Sequence, residues 1–315
     1  MRKIYIILAV ITLSLTINAQ MKTRKLQVIV EEQAESSPPA AAETKTEPSN
    51  SASYAESNNL GIKKILLEAD YKQAITLFSR AIELKPDCAV CRFNLGRSFL
   101  QTGRYDDAIK IFKELIAIEP DNAAAQASLG EALSEKGFYK DSFSFFRQAL
   151  KLNSEDAVTL YNYSISLNLA EEYKEALQRL DEAVKLQPDF AEAYNSRGYT
   201  LFLLGREKDA LASLKKAESL SPQMPQVHNN LGVVFDRAGK EKEAEKHYRE
   251  AVRLKPDYAA AICNLALIYL KTGNREAAYE QLKTLEKIDF ALAGQLRDAI
   301  WGKYVVNASE AKKEN

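Results

Sequence analysis

Residues 225–258 read PQVHNNLGVVFDRAGKEKEAEKHYREAVRLKPDY, and residues 89–122 read AVCRFNLGRSFLQTGRYDDAIKIFKELIAIEPDN. Laid over each other, the two stretches agree at a Leu-Gly pair (Leu95-Gly96 and Leu231-Gly232), a second Gly (Gly103 and Gly239), an Ala (Ala108 and Ala244), an aromatic (Phe112 and Tyr248) and a Pro (Pro120 and Pro256). Agreement at a fixed spacing signals a repeat architecture. Extended along the chain at a period of 34, the same register holds without insertion for seven units: 55–88, 89–122, 123–156, 157–190, 191–224, 225–258 and 259–292. Pro86, Pro120, Pro188, Pro222 and Pro256 share one phase, with Ser154 in the missing place.

With the first residue of each unit as position 1, position 20 is Ala74, Ala108, Ser142, Ala176, Ala210, Ala244 and Ala278, and position 24 is always Phe, Leu or Tyr. Positions 20, 24 and 27 fall on one face of a helix, as does the stripe around position 11 of an earlier helix. Each unit therefore predicts two amphipathic helices, A and B, that approach closely where small residues at positions 8 and 20 meet and are filled by large ones at 11 and 24. Gly at position 15 suits a left-handed residue ending helix A, and Pro at position 32 stops helix B. The composition agrees. Only 12 Gly and 9 Pro occur in 315 residues, and most of them sit at these punctuation points.

The pattern resembles the tetratricopeptide repeat. The resemblance implies an all-α fold, a right-handed superhelical solenoid of helix-turn-helix repeats whose A helices line a concave groove. Two units depart from the motif. The first unit has Ile62 where Gly or Ala is usual and Asn58 where a large apolar residue is usual, and the last has Asp289-Phe290 where Pro would stand. Residues 293–304, with Leu296, Ile300 and Trp301, read as a capping helix over the last apolar face, because terminal solenoid units need a polar outer surface. Residues 305–315 read as a frayed tail.

The N-terminal end has a different character. Arg2 and Lys3 precede a largely apolar core of 14 residues, Ile4–Ile17, and Ile17-Asn18-Ala19 fits a signal-peptidase site, so 1–19 reads as a secretory signal. An uncleaved N-terminal membrane anchor is the other reading, less favoured because the run is shorter than the roughly 20 residues a spanning helix needs. Residues 20–54, rich in Ala, Ser, Thr, Glu and Pro, read as a disordered tether. The expected location is outside the cytoplasm, in the periplasm, the cell envelope or the medium, with no membrane insertion once the signal is removed.

Function is read from the groove. In the family, positions 2, 5, 6, 9, 12 and 13 of helix A face it. Position 6 is Asn94, Ser128, Asn162, Ser196, Asn230 and Asn264 through units two to seven. An asparagine amide carries both a donor and an acceptor, so a spaced row can hold the backbone of an extended peptide. The row resembles the asparagine ladder of peptide-gripping tetratricopeptide domains. Ile165, Tyr199, Phe202 and Val233 add an apolar wall suited to apolar side chains of a ligand. The carboxylate clamp of chaperone-binding members is absent, because position 5 (Phe93, Ala127, Tyr161, Asn195, Asn229 and Cys263) offers no Lys.

Several function classes are excluded. Lys plus Arg equals Asp plus Glu at 43 each, so no basic field would attract nucleic acid. There is no Gly-rich phosphate loop and no pair of carboxylates set for acid–base work, so the chain is read as a non-enzyme without cofactor. The two histidines, His228 and His247, stand 19 residues apart and are expected to hold no metal. Cys88 and Cys91, at the start of a helix, form a C-x-x-C that can close as a local disulfide in an exported protein or remain as two buried thiols. The expected role is a protein-binding scaffold or adaptor that takes a protein or peptide partner in its groove. The alternative is an assembly subunit of a cell-envelope complex, acting through helix B faces or by self-association.

Overall fold

A computed structural model of the chain describes residues 53–298 and residue 300. The signal and tether readings at 1–52, the tail, and residues 301–304 of the capping helix lie outside the described residues. Every regular element described is an α-helix, and the helices come in the expected pairs. The described residues fall into two compact units divided between Leu186 and Gln187.

The first unit holds four pairs: α1 (Tyr54–Glu68) with α2 (Tyr71–Leu84), α3 (Ala89–Gln101) with α4 (Tyr105–Ile118), α5 (Ala123–Glu135) with α6 (Tyr139–Leu152), and α7 (Ala157–Leu169) with α8 (Tyr173–Leu186). The second holds three: α9 (Ala191–Leu203) with α10 (Glu207–Leu220), α11 (Pro225–Arg237) with α12 (Glu241–Leu254), and α13 (Ala259–Lys271) with α14 (Arg275–Glu286). Within each unit the first helix of a pair also packs on the first helix of the next pair, α3 on α5 and α5 on α7, then α9 on α11 and α11 on α13.

In five of the seven pairs the crossing is set by a glycine contact, and Ser164 and Ala266 take that place in the fourth and seventh repeats. A Cβ placed on Gly96 would fall 2.6 Å from the Phe112 ring, on Gly198 2.6 Å from Leu214, and on Gly232 2.5 Å from the Tyr248 ring. Bare backbone is therefore needed for the large side chain of the second helix to lie flat on the first. Phe112 and Leu214 are fully buried and Tyr248 is 2% exposed. Around this contact the first unit gathers Phe78, Leu95, Phe99, Leu129 and Leu133 into one core.

The first repeat differs from the sequence reading. Its close-approach residue is Gly61, whose Cβ would fall 2.6 Å from the Phe78 ring, and Ile62 packs against the core beside it. The expectation that Ile62 occupies the small-residue position is thus corrected: α1 carries one more residue between the crossing and its turn than α3 does. The turn absorbs it, since the Asp70 N–H reaches the Lys64 carbonyl six residues back, whereas Arg104 reaches Phe99 five back. The helix also begins at Tyr54, capped by a Ser53–Glu56 box, so the tether assignment overran by one residue.

All seven turns between paired helices place their residue at positive φ. Five are Gly, and the other two are Ala69 at φ 50° and Glu171 at φ 64°. At the other end, helical structure at 290–298 follows Asp289, which accepts from the Leu292 N–H at 2.9 Å. Leu292, Ala293, Leu296 and Ile300 bury themselves against Ala278, Leu282 and Leu285. Helical structure here begins three residues before the start of the capping helix as read from the sequence.

Two substitutions test this account. Gly232→Ala gains helix propensity but drives a methyl group into Tyr248, and a net loss of about 1–2 kcal/mol is expected. Glu171→Gly relieves a left-handed non-glycine residue and should raise stability by up to about 1 kcal/mol. Urea unfolding midpoints measure both, and opposite signs are required.

Candidate functional site

The candidate face is formed by the first helices of the pairs, and the structure puts most of its asparagines to structural use. In the first unit, Asn94 donates from Nδ2 to Asn58 Oδ1 at 2.9 Å. In the second, Asn230 donates to Asn195 at 2.9 Å and Asn264 to Asn229 at 2.9 Å. Each bond joins position 6 of one repeat to an asparagine one repeat earlier. Asn94, Ser128, Ser196, Asn230 and Asn264 are all buried, and only Asn162 of the row is half-buried. The row read as a ladder for a peptide is in large part a set of bonds between repeats. Asn58, Asn195 and Asn229 are the partners that sequence reasoning did not identify.

The apolar wall divides in the same way. Ile165 is 1% exposed and Tyr199 9%, so neither offers an open surface, which corrects their placement on the groove wall. Phe202 and Val233 remain half-buried, and the Arg237 guanidinium stands 5.8 Å from the Phe202 ring centroid. In the first unit the face is charged and closed. Arg97 and Glu131, at position 9 of successive repeats, are joined at 2.6 Å with both side chains largely buried. Ser166 donates to Ser134 at 2.7 Å across the next junction.

In the second unit this face keeps unspent hydrogen-bonding capacity at one junction. In the Asn195–Asn230 pair, Asn195 Nδ2 and Asn230 Oδ1 are buried and have no hydrogen-bond partner among the described residues. A donor and an acceptor thus stand side by side. Asn230 and Val233 share a face of α11, and Asn195, Tyr199 and Phe202 share a face of α9.

Cys88 and Cys91 are joined by a disulfide with Cα atoms 5.3 Å apart. Cys88 caps α3 and the pair packs against Ala81. Cys263 is a free, buried thiol, and burial pushes its pKa up to about 12.

The histidines are brought together by the fold. His228 and His247 are far apart in the chain, but pairing of α11 with α12 sets their Nδ1 atoms 3.3 Å apart. Glu218, at the end of α10, brings Oε1 to 3.7 Å from His228 Nδ1. A separation of 19 residues in the sequence thus becomes a direct contact in the fold. Burial, with the nearby His228 and Lys246, holds His247 below the ordinary imidazole pKa against the opposing pull of Glu218, so its neutral form is favoured at pH 7. Among the described residues no helix is long and apolar enough to cross a membrane.

The repeat geometry agrees with the comparisons. Tetratricopeptide repeat family models match residues 66–133, 167–205 and 237–273, and 191–224 and 259–291. The chain belongs to the tetratricopeptide repeat family, in general a non-catalytic scaffold for protein–protein interaction. No curated protein matches it significantly. A tetratricopeptide repeat protein from Parabacteroides merdae superposes with a TM-score of 0.65 at 15% identity, over 78% of this chain and 97% of that one. A chain of the APC/C hetero-tetramer Cut9-Hcn1 gives 0.64 at 14% identity over 79% of this chain, which spans only 52% of that one. PilF of Pseudomonas aeruginosa gives 0.58 at 22% identity, over 68% of this chain and 98% of that one. At these identities the likeness is one of fold.

Two expectations follow. Asn230→Ala leaves the Asn195 carbonyl oxygen without its donor inside the fold, and a loss of about 1–3 kcal/mol in urea unfolding is expected even with no ligand present. Maleimide should label no cysteine in the native chain, one after unfolding without reductant and three after reduction.

Proposed function

We propose that the chain is a non-enzymatic scaffold acting outside the cytoplasm, holding an extended segment of a partner protein against the first-helix face of its second unit. The unpaired donor and acceptor of Asn195 and Asn230 carry this reading. Together they match the C=O and N–H of one peptide unit, and an unsatisfied buried pair calls for a partner. Phe202 and Val233, half-buried on the same helices, supply apolar contact for a side chain of the bound segment. Because Asn94 and Asn264 are spent between repeats, the bound segment is short, spanning one repeat junction rather than the whole array.

The test is capture of partners on the immobilised full-length chain, with Phe202→Ala/Val233→Lys as comparison. The double variant should keep its far-UV circular dichroism and lose at least about tenfold of the partner retained by the parent, as expected for a small set of residues carrying most of the binding energy. Equal retention by a folded variant rejects the site.

Action outside the cytoplasm rests on the signal-like residues 1–19 and on the Cys88–Cys91 disulfide, which persists in an oxidising compartment. Intact mass of the protein from its native host should start at Gln20, and an unprocessed N-terminus would reject cleavage.

A second reading, assembly by stacking of repeat ends, is favoured by α1. Leu60, Leu66 and Leu67 are 44%, 48% and 70% exposed there, on a terminal helix where a capped solenoid end would be polar. Light scattering decides it: a concentration-dependent dimer lost in Leu60→Lys/Leu67→Lys supports assembly, and a monomer at all concentrations rejects it.

A further inference from the structure

We infer that Glu218, His228 and His247 form a binding site for a late first-row divalent cation of the zinc type, clamping α10, α11 and α12 together. The three residues offer one ligand atom each, and these atoms all lie within 4.8 Å of one another. The Nδ1 atoms of His228 and His247 are 3.3 Å apart. Two imidazole nitrogens bound to one tetrahedral ion at about 2.0–2.1 Å stand about 3.3–3.4 Å from each other, so the pair already has the spacing of adjacent ligands.

The orientation is fixed from behind. His228 Nε2 lies 2.9 Å from the Pro222 carbonyl oxygen, which can only accept, so the ring proton is on Nε2 and the Nδ1 lone pair points into the cluster. An imidazole holding its far N–H on a backbone carbonyl is the usual second layer of a metal site. His247 is stacked on Phe235 with ring centroids 5.3 Å apart, which fixes its plane. Without a metal, His247 donates Nδ1–H to His228 Nδ1; with one, His247 carries its proton on Nε2 and both Nδ1 atoms ligate. Glu218 is half-buried on the last turn of α10, and a small rotation of its side chain closes the remaining distance.

Two neutral imidazoles and one carboxylate are donors of borderline hardness, suited to Zn2+ and its neighbours and poor for Ca2+ or Mg2+, which take oxygen. Three protein ligands leave a fourth position to water. Because the ligands come from the last helix of the fifth repeat and both helices of the sixth, a bound ion joins two repeats and stabilises the second unit by mass action.

The experiment uses the tag-free full-length chain, stripped with EDTA, dialysed and titrated with Zn2+ alone. Calorimetry should give one Zn2+ per chain, and His247→Gln and Glu218→Gln should each weaken it by more than about tenfold. His228 and His247 are the only histidines in the chain, so proton NMR isolates the site without any variant. Both imidazole Hε1 signals should move together and stop at one equivalent. Histidine signals unchanged by Zn2+, or binding equally tight in the Glu218→Gln/His247→Gln double variant, would overturn the site.

Discussion

The fold depends on one steric requirement, met repeatedly: a large side chain of the second helix lies against a residue of the first that is no larger than serine, and in five of the seven repeats is glycine. Where Gly96 faces Phe112, or Gly232 faces Tyr248, no space for a Cβ remains. Helices that cross so closely fix the angle between them, and that angle decides where the next pair can dock. The glycine turns, the helix-stopping prolines and the short connections all serve to bring the same contact back 34 residues later. Hydrophobic burial drives the packing, but this contact selects which packing is reached.

Much of this was legible in the sequence because it depends on local identity at a fixed spacing. The phases of Gly, Ala, the aromatic position and Pro located the helices to within a residue or two. Legibility failed where the spacing slipped. In the first repeat Gly61 and Ile62 are neighbours, and a strict 34-residue count assigns the small-residue role to Ile62. Only the position of Phe78 shows that Gly61 fills it, with the turn at Ala69 absorbing the extra residue. The positive φ of Ala69 and Glu171 was hidden for a related reason: the turn imposes its conformation whichever residue stands there.

The candidate site was legible in residue type and not in partnership. The row from Asn94 to Asn264 was visible, and so was its capacity for paired hydrogen bonds. That the capacity is used between repeats depends on position 6 of one helix meeting an asparagine of the helix one repeat earlier, a register set by packing rather than by the repeat itself. The histidines are the same case, since a separation of 19 residues becomes 3.3 Å only when α11 and α12 pair. Ile165 and Tyr199 show the converse. Their spacing places them on the inner face, and their burial there removes them from it.

The asparagine bonds of the second unit also bear on how such a chain can lengthen. Asn195 of the fifth repeat accepts from Asn230 of the sixth, and Asn264 of the seventh donates to Asn229 of the sixth. The sixth carries both roles in adjacent residues, Asn229 and Asn230. A tandem copy of the sixth repeat would bring both partners of this bond to each new junction, whereas the fifth has Ser196 in the donor's place and the seventh Cys263 in the acceptor's. The amide spine thus gives the second unit a direction, with the donor always on the later repeat and the acceptor on the earlier one.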